Sequence, residues 1–191
     1  AVAVPSGASA KVNIPSSGVS WFHADYAANA GSVVLTWSPG PTAWPSARDT
    51  IFNSNMVQST GISFQQSRVG IAEVFDGTSN TYLVGEKYLN PAAYMTGNDP
   101  GDDDPYTSGD DQDIHRWTFY NPSDLTTSAL YQPTQDRNGV ALPRAFGSAH
   151  AAGFHVALCD GSVRSFSFSI DRQIHAYLGD RRDRQPIDAS R

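Results

Sequence analysis

The sequence predicts an α+β domain, mainly antiparallel β with one or two short helices. Three observations predict it: short apolar or alternating runs between dense turn signals, an Asp-Gly bend joining two such runs near the C-terminus, and only two stretches of helical character. Hydrophobic residues make up 39% of the 191 positions and charged residues 17%, with 16 glycines and 12 prolines, which describes a turn-rich folded chain rather than a disordered one. That length supplies a core for one domain without disulfide staples. We expect residues 1–20 to form an extended N-terminal arm and 21–191 a single β-rich globular domain.

Residues 1–20 are small, polar and punctuated by proline. Residues 21–37, WFHADYAANAGSVVLTW, mix aromatic and β-branched side chains with Gly and Asn and read as strand and loop. GPTAWPSARD is a proline-broken loop, and polar clusters continue through NSNMVQSTGISFQQS. DGTSN at 76–80 is a concentrated turn signal, because these residues tolerate positive φ or bond their own backbone. Residues 81–88, TYLVGEKY, then alternate as a central strand. Residues 90–113 carry seven aspartates in their last fifteen positions and must be a long loop. IHRWTFY resumes strand, and a short helix is expected near 125–131. A last helix is expected in DRQIHAYLGDRR, with Asp171 as N-cap, Ile174 and Leu178 one turn apart, and Gly179 as terminator.

The run HAAGFHVALCDGSVRSFSFSID, 150–171, reads as a hairpin around Asp160 and Gly161. A two-residue mirror-type loop pairs Cys159 with Ser162, Leu158 with Val163, Ala157 with Arg164 and His155 with Phe166. One face then carries Phe154, Val156, Leu158 and Val163, the other Ala157, Phe166, Phe168 and Ile170. Apolar groups on both faces place the hairpin between layers, at the centre of the fold. The same register sets His150 opposite Asp171, as an imidazole–carboxylate clasp, unless Ala151–Ala152–Gly153 bulges.

The net charge of −6, with lysine only at 11 and 87, argues against nucleic acid or an anionic membrane as partner. Cys159 stands alone, so the chain has no internal disulfide or cysteine-based zinc site, and the thiol reads as a small core residue. No run approaches a membrane span and the start has no basic n-region, so the protein is soluble or its targeting segment lies outside this sequence.

The histidines, at 23, 115, 150, 155 and 175, form no zinc-type spacing. His150 and His155, five apart on a strand, fall on opposite faces and cannot chelate together unless a bulge intervenes. No GxSxG elbow occurs. Glu86 should be partly buried on the central strand and need a cation, Arg144 or Arg164. The best metal candidate is the acidic loop, where Asp102, Asp103, Asp104, Asp110, Asp111 and Asp113 either bind Ca²⁺ or form a solvated acidic surface. Trp21, Trp37, Trp44 and Trp117 either pack or offer a sugar-binding platform, Trp44 being the most plausible exposed member.

His150, nine residues and then Asp160-Gly161 resembles the signature of the prepilin-type H-x9-DG proteins, a domain family of unknown function (number fifteen fifty-nine) expanded in planctomycete bacteria. DGTSNTYLVGEKYL, DYAANAG, FGSAH and the run from CDGSVRSFSFSID to RDRQPID resemble its other blocks, in order. Arg172 stands where similar sequences often have proline, and the basic, apolar N-terminal helix of such sequences has no counterpart here. The resemblance implies a pilin-like or pseudopilin-like head displayed by a secretion or pilus-like system, and a pilin-like context adds weight to calcium. We therefore expect a non-enzymatic, extracytoplasmic bacterial structural protein that contacts other protein subunits by self-assembly or in a larger surface complex. Its alternatives are a carbohydrate-binding module and a hydrolase of unassigned type.

Overall fold

A computed structural model describes residues 2–3, 20–21, 23–35, 58–65, 67–104, 111–185 and 187, the first two segments by backbone alone. Tyr82–Glu86 (β4) is the middle strand of a five-stranded sheet, as its alternation predicts. On one side it pairs antiparallel with Tyr26–Gly31 (β3), which pairs parallel with His115–Trp117 (β5). On its other side lies Gly153–Leu158 (β8), antiparallel, and beyond it Val163–Ser167 (β9) at the edge. The fold is thus α+β with a mainly antiparallel sheet. Val2–Ala3 (β1) pairs with Ser20–Trp21 (β2), and Thr134–Gln135 (β6) with Gly147–Ser148 (β7). Among the described residues the two α-helices are Leu125–Ala129 (α1) and Arg172–Gly179 (α2).

Both helices begin on aspartate. The Asp124 carboxylate accepts the Thr127 N–H, and that of Asp171 accepts the N–H groups of Gln173 and Ile174. Gly179 is the last helical residue and Asp180 the C-cap, so Gly179 is not the terminator the sequence suggested. A close approach explains it: a Cβ there would lie 1.9 Å from Thr118 Oγ1.

The hairpin is one residue out of the expected register. Ala157 pairs with Val163, His155 with Ser165 and Phe154 with Phe166. The loop has three residues, Cys159, Asp160 and Gly161; Gly161 adopts φ +84° and donates to the Leu158 carbonyl, while Leu158 N–H reaches Ser162 O at 2.8 Å. Neighbouring chain imposes this turn, because Thr81 O accepts the Cys159 N–H and Thr78 O the Asp160 N–H, each at 3.0 Å. The Asp160 carboxylate closes it by accepting from Ser162 N and Oγ.

A one-residue slip exchanges the faces of β9 against β8. Phe166 joins Phe154, Val156 and Leu158 on the inner face, with Phe168 and Ile170 packed beside them, while Val163 moves to the outer face and is 67% exposed. The hairpin therefore does not sit between two layers: one face covers the core and the other meets solvent. The core gathers Tyr82, Phe146, Phe154, Val156, Leu158 and Leu178, with Tyr82 edge-on to Phe146 and Phe166.

The buried Asn29 ties sheet to helix. Its amide donates to Tyr82 O and Gly179 O, each at 2.9 Å, and its carbonyl accepts the Gly31 N–H. The turn at 76–80 anchors the chain after α2: Asp76 carboxylate oxygens accept the N–H groups of Asp183 and Arg184. These bonds join sequence blocks that lie far apart along the chain.

Candidate functional site

The residues that converge most closely lie where β4 meets β8. Glu86 closes β4 and faces His155 across the sheet, next to the Gly85–Val156 pair. Glu86 Oε2 accepts the His155 backbone N–H at 2.7 Å and lies 3.2 Å from His155 Nδ1; Oε1 lies 3.2 Å from His150 Nε2. The imidazoles meet edge to face, 5.3 Å between centroids.

Ser148 places His150. Its hydroxyl donates to Gly153 O at 2.8 Å and accepts the His150 N–H at 3.1 Å, folding residues 149–152 into a bend ahead of β8. His150 is thus off the strand, and the bend swings it to the same side as His155, so the expectation that the two point apart is corrected. The clasp with Asp171 is corrected too: His150 meets Glu86, and Asp171 caps α2. Nor does Glu86 take Arg144 or Arg164. Arg144 lies over the Trp117 ring and donates to Tyr131 Oη, and Arg164 is exposed opposite Val156.

Glu86 and His150 border a cleft of about 460 Å³ whose wall also carries Asp25, Lys87, Asp102 and Asp136. Lys87 Nζ is buried, donating to Asp102 Oδ1 at 2.5 Å and to the carbonyls of Asp113 and Gly101. Burial and the nearby Arg116 guanidinium push its pKa down, and the Asp102 contact opposes them. The three groups around it, a carboxylate and two carbonyls, are all acceptors and suit an ammonium. Asp136 accepts from Leu89 N–H and Tyr94 O–H, and burial raises its pKa.

The acidic loop is organised around cations of the chain itself. Arg116, fully buried, donates to the carbonyls of Gly101, Gln112, Asp113 and His115. Asp113 Oδ2 accepts the Asp104 N–H at 2.6 Å, and Asp111 caps the turn at Gln112–Ile114. Burial, then the charges of Asp103 and Asp111, lift Asp113 to about 8 against the pull of Lys87 and Arg116. Asp110 lies outside the described residues. Among those described, this loop does not bring three carboxylates within 4.8 Å of one another; the groups that do bring three ligand atoms that close are Glu86, His150 and His155, and Asp76, Asp180 and Asp183. In the second group each carboxylate already accepts backbone N–H or hydroxyl donors.

Of the remaining candidates, Asp160 and Gly161 form the hairpin turn. Cys159 is partly buried, and burial raises its thiol to about 11. Trp117 is buried under Arg144 and offers no open ring face for a sugar; Trp37, Trp44 and the side chain of Trp21 lie outside the described residues. Sequence reasoning missed the structural roles of Asn29, Ser148 and Arg116. Arg116 alone left a signal, a cation between the aromatic and aliphatic residues of a short strand.

These features define an α+β domain with a mainly antiparallel sheet, open to solvent on one face at β8 and β9, and a histidine–carboxylate cluster at the rim of an acidic cleft. The chain belongs to the family described as "Protein of unknown function (DUF1559)" (SBP_bac_10), whose model matches residues 15–173. No curated protein and no solved structure matches it.

Proposed function

We propose that this chain is a non-enzymatic, extracytoplasmic structural protein, a pilin-like head whose work is contact with other protein chains. One observation carries the reading: the outer face of the sheet bears a continuous apolar row, Ala28–Val84–Ala157–Val163, across four strands, flanked by the exposed Tyr26 and Leu83. Val163 is exposed and the other three are half-buried, and a contiguous apolar patch of this kind, unlike scattered single side chains, is a mark of interaction sites. The resemblance to prepilin-type sequences gives the reading its address. The reactive residue types also serve structure, Ser148 in a bend, Asp160 in a turn and Asp171 in a cap.

The test is site-specific photo-crosslinking at position 163 in the producing bacterium, with cell fractionation. The reading expects the chain outside the cytoplasm and covalently joined through this face to protein, copies of itself included. A cytoplasmic chain, or one that crosslinks to no protein from position 163, overturns it.

A further inference from the structure

We propose that Glu86, His150 and His155 form a binding site for a divalent transition-metal ion of the zinc class. Three donor atoms from three places in the fold, the end of β4, the start of β8 and the bend before it, lie within 4.8 Å of one another. Around zinc, bonds of 2.0–2.2 Å to imidazole nitrogen and carboxylate oxygen make the tetrahedral edges about 3.3–3.5 Å. His150 Nε2 lies 3.2 Å from Oε1 and His155 Nδ1 3.2 Å from Oε2, one imidazole on each oxygen of the same carboxylate, so an ion between the rings can take either oxygen with small side-chain movements.

The surroundings favour a cation. Glu86 keeps only 12% of its side chain exposed, and among the described residues its ion-pair partners within 4.0 Å are the two imidazoles. Asp25, Asp102 and Asp136 line the adjoining cleft, where Lys87 is committed to Asp102. The cleft therefore concentrates cations beside the donors. Its chemistry chooses among them, because two imidazoles with one carboxylate select Zn²⁺, Cu²⁺ or Ni²⁺ over Ca²⁺ and Mg²⁺, which want oxygen. The His155 N–H on Glu86 Oε2 fixes the carboxylate as outer-shell hydrogen bonds fix metal ligands. Three protein ligands leave one tetrahedral position for water or a donor from a docked chain.

The competing account is that imidazole–carboxylate hydrogen bonds are the whole purpose of the cluster. Calorimetry of the demetallated 191-residue chain with zinc chloride separates the two. The proposal expects one Zn²⁺ per chain, unaffected by a calcium excess, and an affinity at least about tenfold weaker in His150→Ala/His155→Ala. Both side chains are about half exposed, so the double variant keeps its fold, checked by circular dichroism. Paramagnetic resonance of the Cu²⁺ form supplies a second readout, with nitrogen coupling from two imidazoles that the double variant loses. No saturable zinc heat, or unchanged affinity in a folded double variant, overturns the proposal, and Glu86→Gln should weaken binding without removing the nitrogen signature.

Discussion

Among single residues, His175 makes the sharpest statement about the interior. It is 1% exposed among Tyr82, Phe146 and Phe154, and burial pushes its pKa down to about 3 from 6.5. The folded state thus binds a proton less readily than the unfolded chain. The stability this contributes is fully present above pH 6.5 and is lost as pH falls from there toward 3, by up to about 1.4 kcal/mol per unit. His175→Leu removes the titration. In urea unfolding, the stability of wild type relative to the variant should fall by about 2 kcal/mol between pH 6.5 and 4.5, and a pH-independent difference would refute a buried neutral imidazole. Asp113 bends the curve the other way. With a folded pKa of about 8 against 3.8, its carboxyl binds protons more tightly in the folded state, so stability should decline as pH rises between those values, and Asp113→Asn should flatten that limb. At this scale the sequence is legible for local bonds and opaque for distant ones. Asp171 as a cap follows from its position before an amphipathic run of helical spacing. The partners of Glu86 do not, since His150 and His155 lie 64 and 69 residues away along the chain.

For elements, the hairpin shows where reading by pattern stops. Its existence, its Asp-Gly bend and the centrality of β4 are visible in alternation and turn chemistry, but its register is not. Loop length depends on Thr78 and Thr81, whose carbonyls claim the turn's N–H groups, and no pattern within the hairpin encodes them. Two glycines test the difference between conformational and steric demand. Gly161 has positive φ and nothing within 4 Å of a would-be Cβ, so Gly161→Ala should cost about 1–2 kcal/mol, the left-handed penalty alone. Gly179 has ordinary helical φ, where alanine would gain about 1 kcal/mol of helix propensity. Its Cβ, however, would meet Thr118 Oγ1, Cγ2 and Cβ at 1.9, 2.6 and 2.8 Å, and a β-branched side chain cannot withdraw all three. Overpacking of about 1–3 kcal/mol should win, so Gly179→Ala lowers the melting temperature, and Gly179→Ala/Thr118→Ser should recover part of the loss. A neutral or stabilising Gly179→Ala would show that α2 stands further from β5 than described.

At the scale of the whole molecule, the one-residue slip in β9 decides what the sheet presents. In the expected register Val163 belongs to the core; in the observed one it ends an apolar row on the solvent side, and the core takes Phe166 instead. The two faces of one hairpin should then respond oppositely to mutation. Phe154, 0% exposed and stacked among Phe146, Phe166 and Phe168, should cost about 3–5 kcal/mol as Phe154→Ala, whatever the protein's partners. Val163, exposed on the edge strand, should cost within about 0.5 kcal/mol as Val163→Lys, since lysine is tolerated on a solvated edge. If the outer face meets another chain, that same lysine places an unpaired charge in an apolar contact, and the cost appears in association instead. The expected pattern is a stable, unassembled Val163→Lys and an unstable Phe154→Ala, read by urea denaturation of the purified chain and by the crosslinked fraction formed in cells from a probe at Leu83 on the same face. If Val163→Lys crosslinks as well as wild type, the apolar row is not a contact surface, and the observation behind the proposed assembly role is lost.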